Sequence, residues 1–204
     1  MDSRYRRLFF SEKTPFVAAA VAVAANIAYL AAGLPSGNAG VYEFFDFAVR
    51  LLVLSLLLFA YRKHRLMLLQ ASCMALLFCM LYTQASYALG TLLAVEAEEY
   101  ISLGMSGSLF LADELMILVI EFVITANYLI MHAEEKVPYV RTAVNQICIA
   151  VLLALLALQI FVNAGLPFGR QFVITFAFSR LSGIATLVCV ACGELILAID
   201  RGEP

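Results

Sequence analysis

The 204-residue sequence has no tryptophan, two histidines, five prolines and only 14% charged residues. Each shortage removes a class of protein. So little charge leaves neither the self-repulsion of a disordered chain nor the basic surface of a nucleic-acid binder, and no nucleic-acid partner is expected. The histidines, His64 and His132, form no haem-type pair, and no H-E-x-x-H, Walker loop, dinucleotide fingerprint or carboxylate–histidine cluster is present. The expectation is therefore no metal, no other cofactor and no assigned catalytic residue. The cysteines Cys73, Cys79, Cys148, Cys189 and Cys192 all lie in apolar stretches, where thiols act as small hydrophobes rather than as a disulfide scaffold. Without tryptophan, anchoring at a membrane interface falls to residues such as Tyr61, Tyr100, Tyr139 and Phe168.

What the sequence does have is apolar surface. Hydrophobic residues make up 64% of it and the mean hydropathy is +0.94, beyond the roughly half-apolar composition of soluble domains. About 20 apolar residues carry a helix across a hydrocarbon core with every backbone amide satisfied within the segment. Six stretches qualify, at residues 15–33, 41–61, 66–95, 103–131, 142–163 and 172–199. The reading is an all-α integral membrane protein: a six-transmembrane-helix bundle forming one polytopic domain over residues 1–204, in the plasma or inner membrane of the cell, with the lipid bilayer as first partner. Short polar or breaker-rich connections support it, among them Leu34 to Asn38, the basic link Arg62 to Arg65, Pro138, and Gly165 to Pro167.

Basic residues set the expected orientation. Arg4, Arg6, Arg7 and Lys13 precede the first span, Arg62, Lys63 and Arg65 join spans two and three, and Lys136 and Arg141 join spans four and five. The alternate ends carry Glu43 and Asp46, then Glu96, Glu98 and Glu99, then Arg170. The positive-inside rule places both termini in the cytoplasm. The long charged leader favours a retained first helix over a cleaved signal peptide.

Ionisable groups inside spans cost about 2.5–3.5 kcal/mol on insertion scales, so each calls for a partner, water or a function. Arg50 lies in span two, Asp113, Glu114 and Glu121 in span four, and Arg180 and Glu194 in span six. Those three spans run in the same direction. Arg50, Asp113, Glu114 and Arg180 each fall roughly 12–16 Å below the outer helix ends at about 1.5 Å per residue. Asn26, Tyr82, Gln84, Tyr87, Gln159 and Asn163 approach the same outer half. This is the profile of an outward-facing polar pocket, with Arg50, Asp113, Glu114 and Arg180 as the substrate-binding set. In the competing reading the same charges neutralise one another, Arg180 with Asp113 or Glu114 and Arg50 with Asp46, and fix helix order. Along span four, Glu114, Glu121, Thr125, Tyr128 and His132 share one helical stripe. That stripe is either a hydrogen-bonded packing seam or the wall of a proton or cation path, with Glu121 as the proton-linked carboxylate.

Three local patterns bear on function. Gly104-Met105-Ser106-Gly107 opens span four, and with six spans it resembles the serine motif of rhomboid intramembrane proteases. That resemblance implies a histidine base on span six, where Arg180-Leu181-Ser182-Gly183 stands instead. A guanidinium is always protonated and cannot serve as the base for Ser106. Cys189-Val190-Ala191-Cys192 has oxidoreductase spacing, but Ala185, Cys189 and Gly193 recur at every fourth residue and read as a packing face. Ala18, Ala20, Ala22, Ala24, Ala25 and Ala28 give span one small-residue pairs that either pack inside the bundle or dock a partner. In size, span count and alanine spacing the chain resembles the substrate-binding subunits of vitamin-uptake systems.

The functional expectation is a small transporter, or the solute-binding membrane subunit of a transport complex, taking a small polar or charged solute. Its macromolecular partner is then another membrane subunit or a second copy of the chain. The alternative is a non-catalytic scaffold or sensor that binds a partner protein. The remote alternative is a rhomboid-like protein lacking the catalytic histidine.

Overall fold

The computed structural model describes residues 13–33, 41–96, 107–133, 139–163 and 169–201. They form α1 (Thr14–Gly33), α2 (Val41–Lys63), α3 (Leu66–Glu96), α4 (Gly107–Ala133), α5 (Tyr139–Asn163) and α6 (Gly169–Arg201). All six are long and apolar enough to cross a membrane. Apart from Lys13, the charged leader lies outside the described residues, as do the turn at 34–38, Glu98, Glu99, Tyr100, the Gly104–Ser106 part of the serine motif, Lys136, Pro138, residues 165–167 and Phe168.

Helix α6 is the centre of the bundle. In its most apolar window 72% of residues are buried, against 22–39% in the other five helices. It packs on α1, α3 and α5 and touches α2, while α4 packs on α3 and α5. The outward faces carry bare Val17, Phe45, Met67, Phe122 and Phe161, an apolar exterior suited to lipid rather than water.

Cross-helix bonds fix the pairing directions. Gln84 and Gln70 of α3 reach Glu114 and His132 of α4, respectively, so these helices are antiparallel. Bonds from Arg180 to Gln84 and from Cys73 to Val190 make α3 and α6 antiparallel as well. On α1, Ala18, Ala19, Ala22 and Ala25 are buried while Ala20 and Ala24 are exposed. The Ser182 hydroxyl donates to the Ala22 carbonyl at 3.0 Å and accepts from Asn26 at 3.2 Å, and the Cys189 thiol donates to the Pro15 carbonyl at 3.3 Å. Side chains reach backbone carbonyls across an interface only where the helices lie close, which alanines permit. The alanine face is therefore covered by α6 within the bundle.

The small-residue stripe of α6 is shared between two neighbours. Cys189 faces α1, whereas a Cβ placed on Gly193 would lie 2.7 Å from the Cys73 sulfur on α3. Cys189 and Cys192 are both free, buried thiols, placed as packing residues.

The link between α2 and α3 closes in a Schellman arrangement. The Arg65 amide donates to the Ala60 carbonyl at 3.0 Å and the His64 amide to the Tyr61 carbonyl at 3.3 Å, with His64 at φ 52°. That left-handed position usually holds glycine, because a Cβ there crowds the following carbonyl. His64→Gly is expected to stabilise the protein by about 0.5 kcal/mol and His64→Val to destabilise it by about 1 kcal/mol. Thermal midpoints in detergent check both signs.

Candidate functional site

Three buried polar layers cross the bundle, and they differ in how completely their groups are satisfied. The first joins α3, α4 and α6. Arg180 makes a close ion pair with Glu114 and donates to Gln84 Oε1 at 2.8 Å. The Gln84 amide nitrogen donates to Glu114 Oε2 at 2.6 Å and to the Glu114 carbonyl at 3.0 Å. The amide thus lies between guanidinium and carboxylate, its oxygen toward the cation and its nitrogen toward the anion. Asp113 stands further off, with its Oδ2 3.9 Å from Arg180, and is hydrogen-bonded to Gln159. The Phe176 ring lies under the guanidinium at 4.8 Å, a cation–π contact that covers one face of the charge.

Arg50 belongs to the same region but has its own counter-ion. Its Nε is 2.8 Å from Asp46 Oδ2, one turn away on α2, although the N–H is not aligned as a hydrogen bond. The Thr83 hydroxyl sits 2.9 Å from the Cys79 carbonyl and 3.3 Å from Asp46 Oδ1, sharing its single proton between them. The four expected substrate-binding residues are thus placed as two adjoining ion-pair groups: Asp113, Glu114 and Arg180 in one, and Arg50 with Asp46 in the other.

Between these groups and the bundle core lies a cavity of about 240 Å³. Arg50, Gln84, Glu114 and Arg180 line its polar side; Met80, Ile117, Leu152, Leu156, Ile184 and Leu187 line much of the rest. Tyr29 and Tyr87 also face it, hydrogen-bonded to one another. A small chamber of about 30 Å³ shares Tyr29, Arg50, Thr83, Tyr87 and Ser179 with the cavity and adds Glu43 and Asp46 from the start of α2.

Glu121 also lines this cavity, two turns along α4 from Glu114. It is 8% exposed, and its Oε2 has no hydrogen-bond partner among the described residues. Thr125 does not serve it, because that hydroxyl donates to the Glu121 backbone carbonyl at 2.8 Å. Buried carboxylate oxygens are rarely left this way, since desolvation without a compensating bond is costly. Glu114, Thr125 and Tyr128 of the same stripe are buried too, and the Tyr128 hydroxyl donates to the Gln70 carbonyl at 3.1 Å. His132 closes the stripe, edge-on to Tyr128 and hydrogen-bonded to Gln70. The stripe lies inside the bundle, with Glu114 and Glu121 at the cavity wall.

In the third layer the sequence singles out Glu194 but not the asparagines that hold it. Glu194, 2% exposed, accepts from the Asn145 amide at 2.9 and 2.8 Å through its two oxygens. Asn145 Oδ1 accepts in turn from Asn127 at 2.8 Å, Asn127 also donates to the Arg141 carbonyl at 2.8 Å, and Asn127 Oδ1 accepts from Arg141 at 3.3 Å. Asn127 and Asn145 are neutral, so only their position within apolar spans could have marked them.

Comparison with protein-family profiles, with curated proteins and with solved structures finds no match to this chain. The functional reading therefore rests on the geometry of the site.

Proposed function

We propose that the protein is a small membrane transporter, or the solute-binding membrane subunit of one, and that the α2–α6 cavity is its solute site. The observation that carries this reading is the cavity itself, lined by Glu121, a buried carboxylate whose Oε2 has no hydrogen-bond partner among the described residues. Concave, mostly apolar pockets with a few convergent polar groups are the usual form of small-molecule sites. In this reading both termini are cytoplasmic, and the cavity opens to the opposite side, where α2, α4 and α6 begin. Arg50, Asp113, Glu114 and Arg180 form the polar rim, and Glu121 is the carboxylate available to carry a proton or a cation. The membrane is the plasma or inner membrane. The scaffold alternative is the weaker of the two, because the alanine face it would offer a partner is buried against α6.

The test is thermal unfolding of the purified protein in detergent across amino acids, vitamins, organic anions and organic cations. A compound present at 100 times its dissociation constant stabilises the folded state by about 2.7 kcal/mol, a shift of several degrees. At least one compound class is expected to raise the midpoint of the wild type and to fail with Leu156→Trp, which fills the cavity. A wild type that none of these classes shifts overturns the reading in favour of the scaffold.

A further inference from the structure

Counting which charges at the cavity are already matched narrows the ligand. Arg180 is held by Glu114, Gln84 and more distantly Asp113, and Arg50 is held by Asp46. Each guanidinium thus already has a carboxylate beside it, although the Arg50 N–H makes no aligned hydrogen bond. Among the described residues the carboxylates in and beside the cavity are Asp46, Asp113, Glu114 and Glu121, against the two arginines Arg50 and Arg180. An anion entering here would meet an excess of like charge and would have to break a buried pair; a cation would not. Glu121 supplies the second observation, a buried carboxylate that lines the cavity and whose Oε2 has no hydrogen-bond partner among the described residues.

Size and lining restrict the cation further. Metal ions such as calcium take six to eight oxygen ligands, whereas Glu121 stands among Ile117, Leu152, Leu156, Ile184 and Leu187 on the cavity wall. That surroundings suits a ligand with one charged end and an apolar body. The volume of about 240 Å³ lies below the span of drug-sized sites.

Resting on the solute-site reading, we propose that the cavity binds a small organic monoamine in its ammonium form, with the Glu121 carboxylate as counter-ion and the apolar wall around the hydrocarbon body. The ammonium pairs with the Glu121 carboxylate, a charge-assisted contact strengthened by exclusion of water. Tyr29, Arg50, Thr83, Tyr87 and Ser179 line both the cavity and the adjoining chamber, where Asp46 adds a charge of the sign that attracts an amine.

Three compounds of one shape and different charge test this: phenethylamine, phenethyl alcohol and hydrocinnamate, each titrated against the detergent-solubilised full chain by thermal shift and calorimetry. Phenethylamine is expected to bind the wild type at least about tenfold more tightly than the alcohol, and hydrocinnamate not at all, since only the ammonium gains a charge-assisted bond. In Glu121→Gln the amine and the alcohol are expected to converge to within about twofold, with the alcohol unchanged, as removal of one charged partner predicts. Should that variant fail to fold, the amine-to-alcohol ratio in the wild type decides alone. Equal binding of amine and alcohol, retention of the preference in Glu121→Gln, or binding of hydrocinnamate alone overturns the amine assignment while leaving a solute site in place. Failure of these three compounds and of every class in the wider panel overturns both.

Discussion

Arg180→Ala is expected to be the most damaging single substitution in the half of the bundle that holds the cavity, lowering stability by about 3–5 kcal/mol, the usual cost of removing one member of a buried ion pair. The Arg180 side chain is 12% exposed and that of Glu114 5%, so solvent does not replace the lost partner. Glu114 keeps its bonds from Gln84, but Gln84 Oε1 loses the donor that orients the amide. Arg50→Ala offers the contrast. Its pair with Asp46 lies within one helix and ties no two helices together, and with side chains 14% and 23% exposed its loss is expected to cost about 1–2 kcal/mol, between an exposed and a fully buried pair. Unfolding of both variants in detergent should separate them widely. Arg180→Ala combined with Glu114→Gln should be more stable than Arg180→Ala alone, because a carboxamide is far cheaper to bury than an unpaired carboxylate. If Arg180→Ala melted like the wild type, the Arg180–Gln84–Glu114 layer would not be the structural tie described above.

This expectation changes what an Arg180 variant says about function. A loss of ligand binding in Arg180→Ala would be ambiguous, since the same change loosens the α3–α4–α6 junction. Glu121 has no such dual role: among the described residues no donor bonds its side-chain oxygen Oε2. Separating ligand effects from folding effects therefore falls to Glu121→Gln and to the cavity-filling Leu156→Trp.

Much of the fold was legible because the bilayer imposes length and hydropathy on each span separately, and six apolar stretches became six helices. Helix depth was legible for the same reason. A rise of about 1.5 Å per residue put Arg180 level with Asp113 and Glu114 without knowledge of packing. Which acid the arginine takes was not, because that depends on rotation of α4 about its axis, and the structure favours Glu114. Rotation is set by contacts such as Ser182 on the Ala22 carbonyl and Gly193 against Cys73, which depend on side-chain size at one point rather than on any periodic signal. Of the alanine run, Ala18, Ala22 and Ala25 are buried in the bundle while Ala20 and Ala24 are exposed. The stripe on α4 could be read from spacing, but the bare oxygen of Glu121 could not, since an unmet partner is a property of the assembled bundle.

Asn145→Leu should be nearly as damaging as Arg180→Ala, and for a reason independent of any ligand. Both oxygens of the buried Glu194 carboxylate accept from the single Asn145 amide, and among the described residues no cation lies within ion-pair distance of it. Leucine has similar volume and no donor, so the change strips the carboxylate of its bonds without opening a cavity. The expected cost is about 2–4 kcal/mol, above that of a neutral unsatisfied group because the acceptor is charged. Asn127 is affected in turn, since its amide donates to Asn145 Oδ1, but it keeps the Arg141 carbonyl as an acceptor. The double variant Asn145→Leu with Glu194→Leu removes both sides of the interaction and should recover most of the loss, as replacement of buried polar sets by well-packed apolar ones commonly does. Denaturation midpoints of the two single variants and the double give the coupling energy, expected to exceed about 1.5 kcal/mol. Additive single effects would mean that Glu194 is solvated or neutral without Asn145, and that this layer holds α4, α5 and α6 together by apolar packing alone.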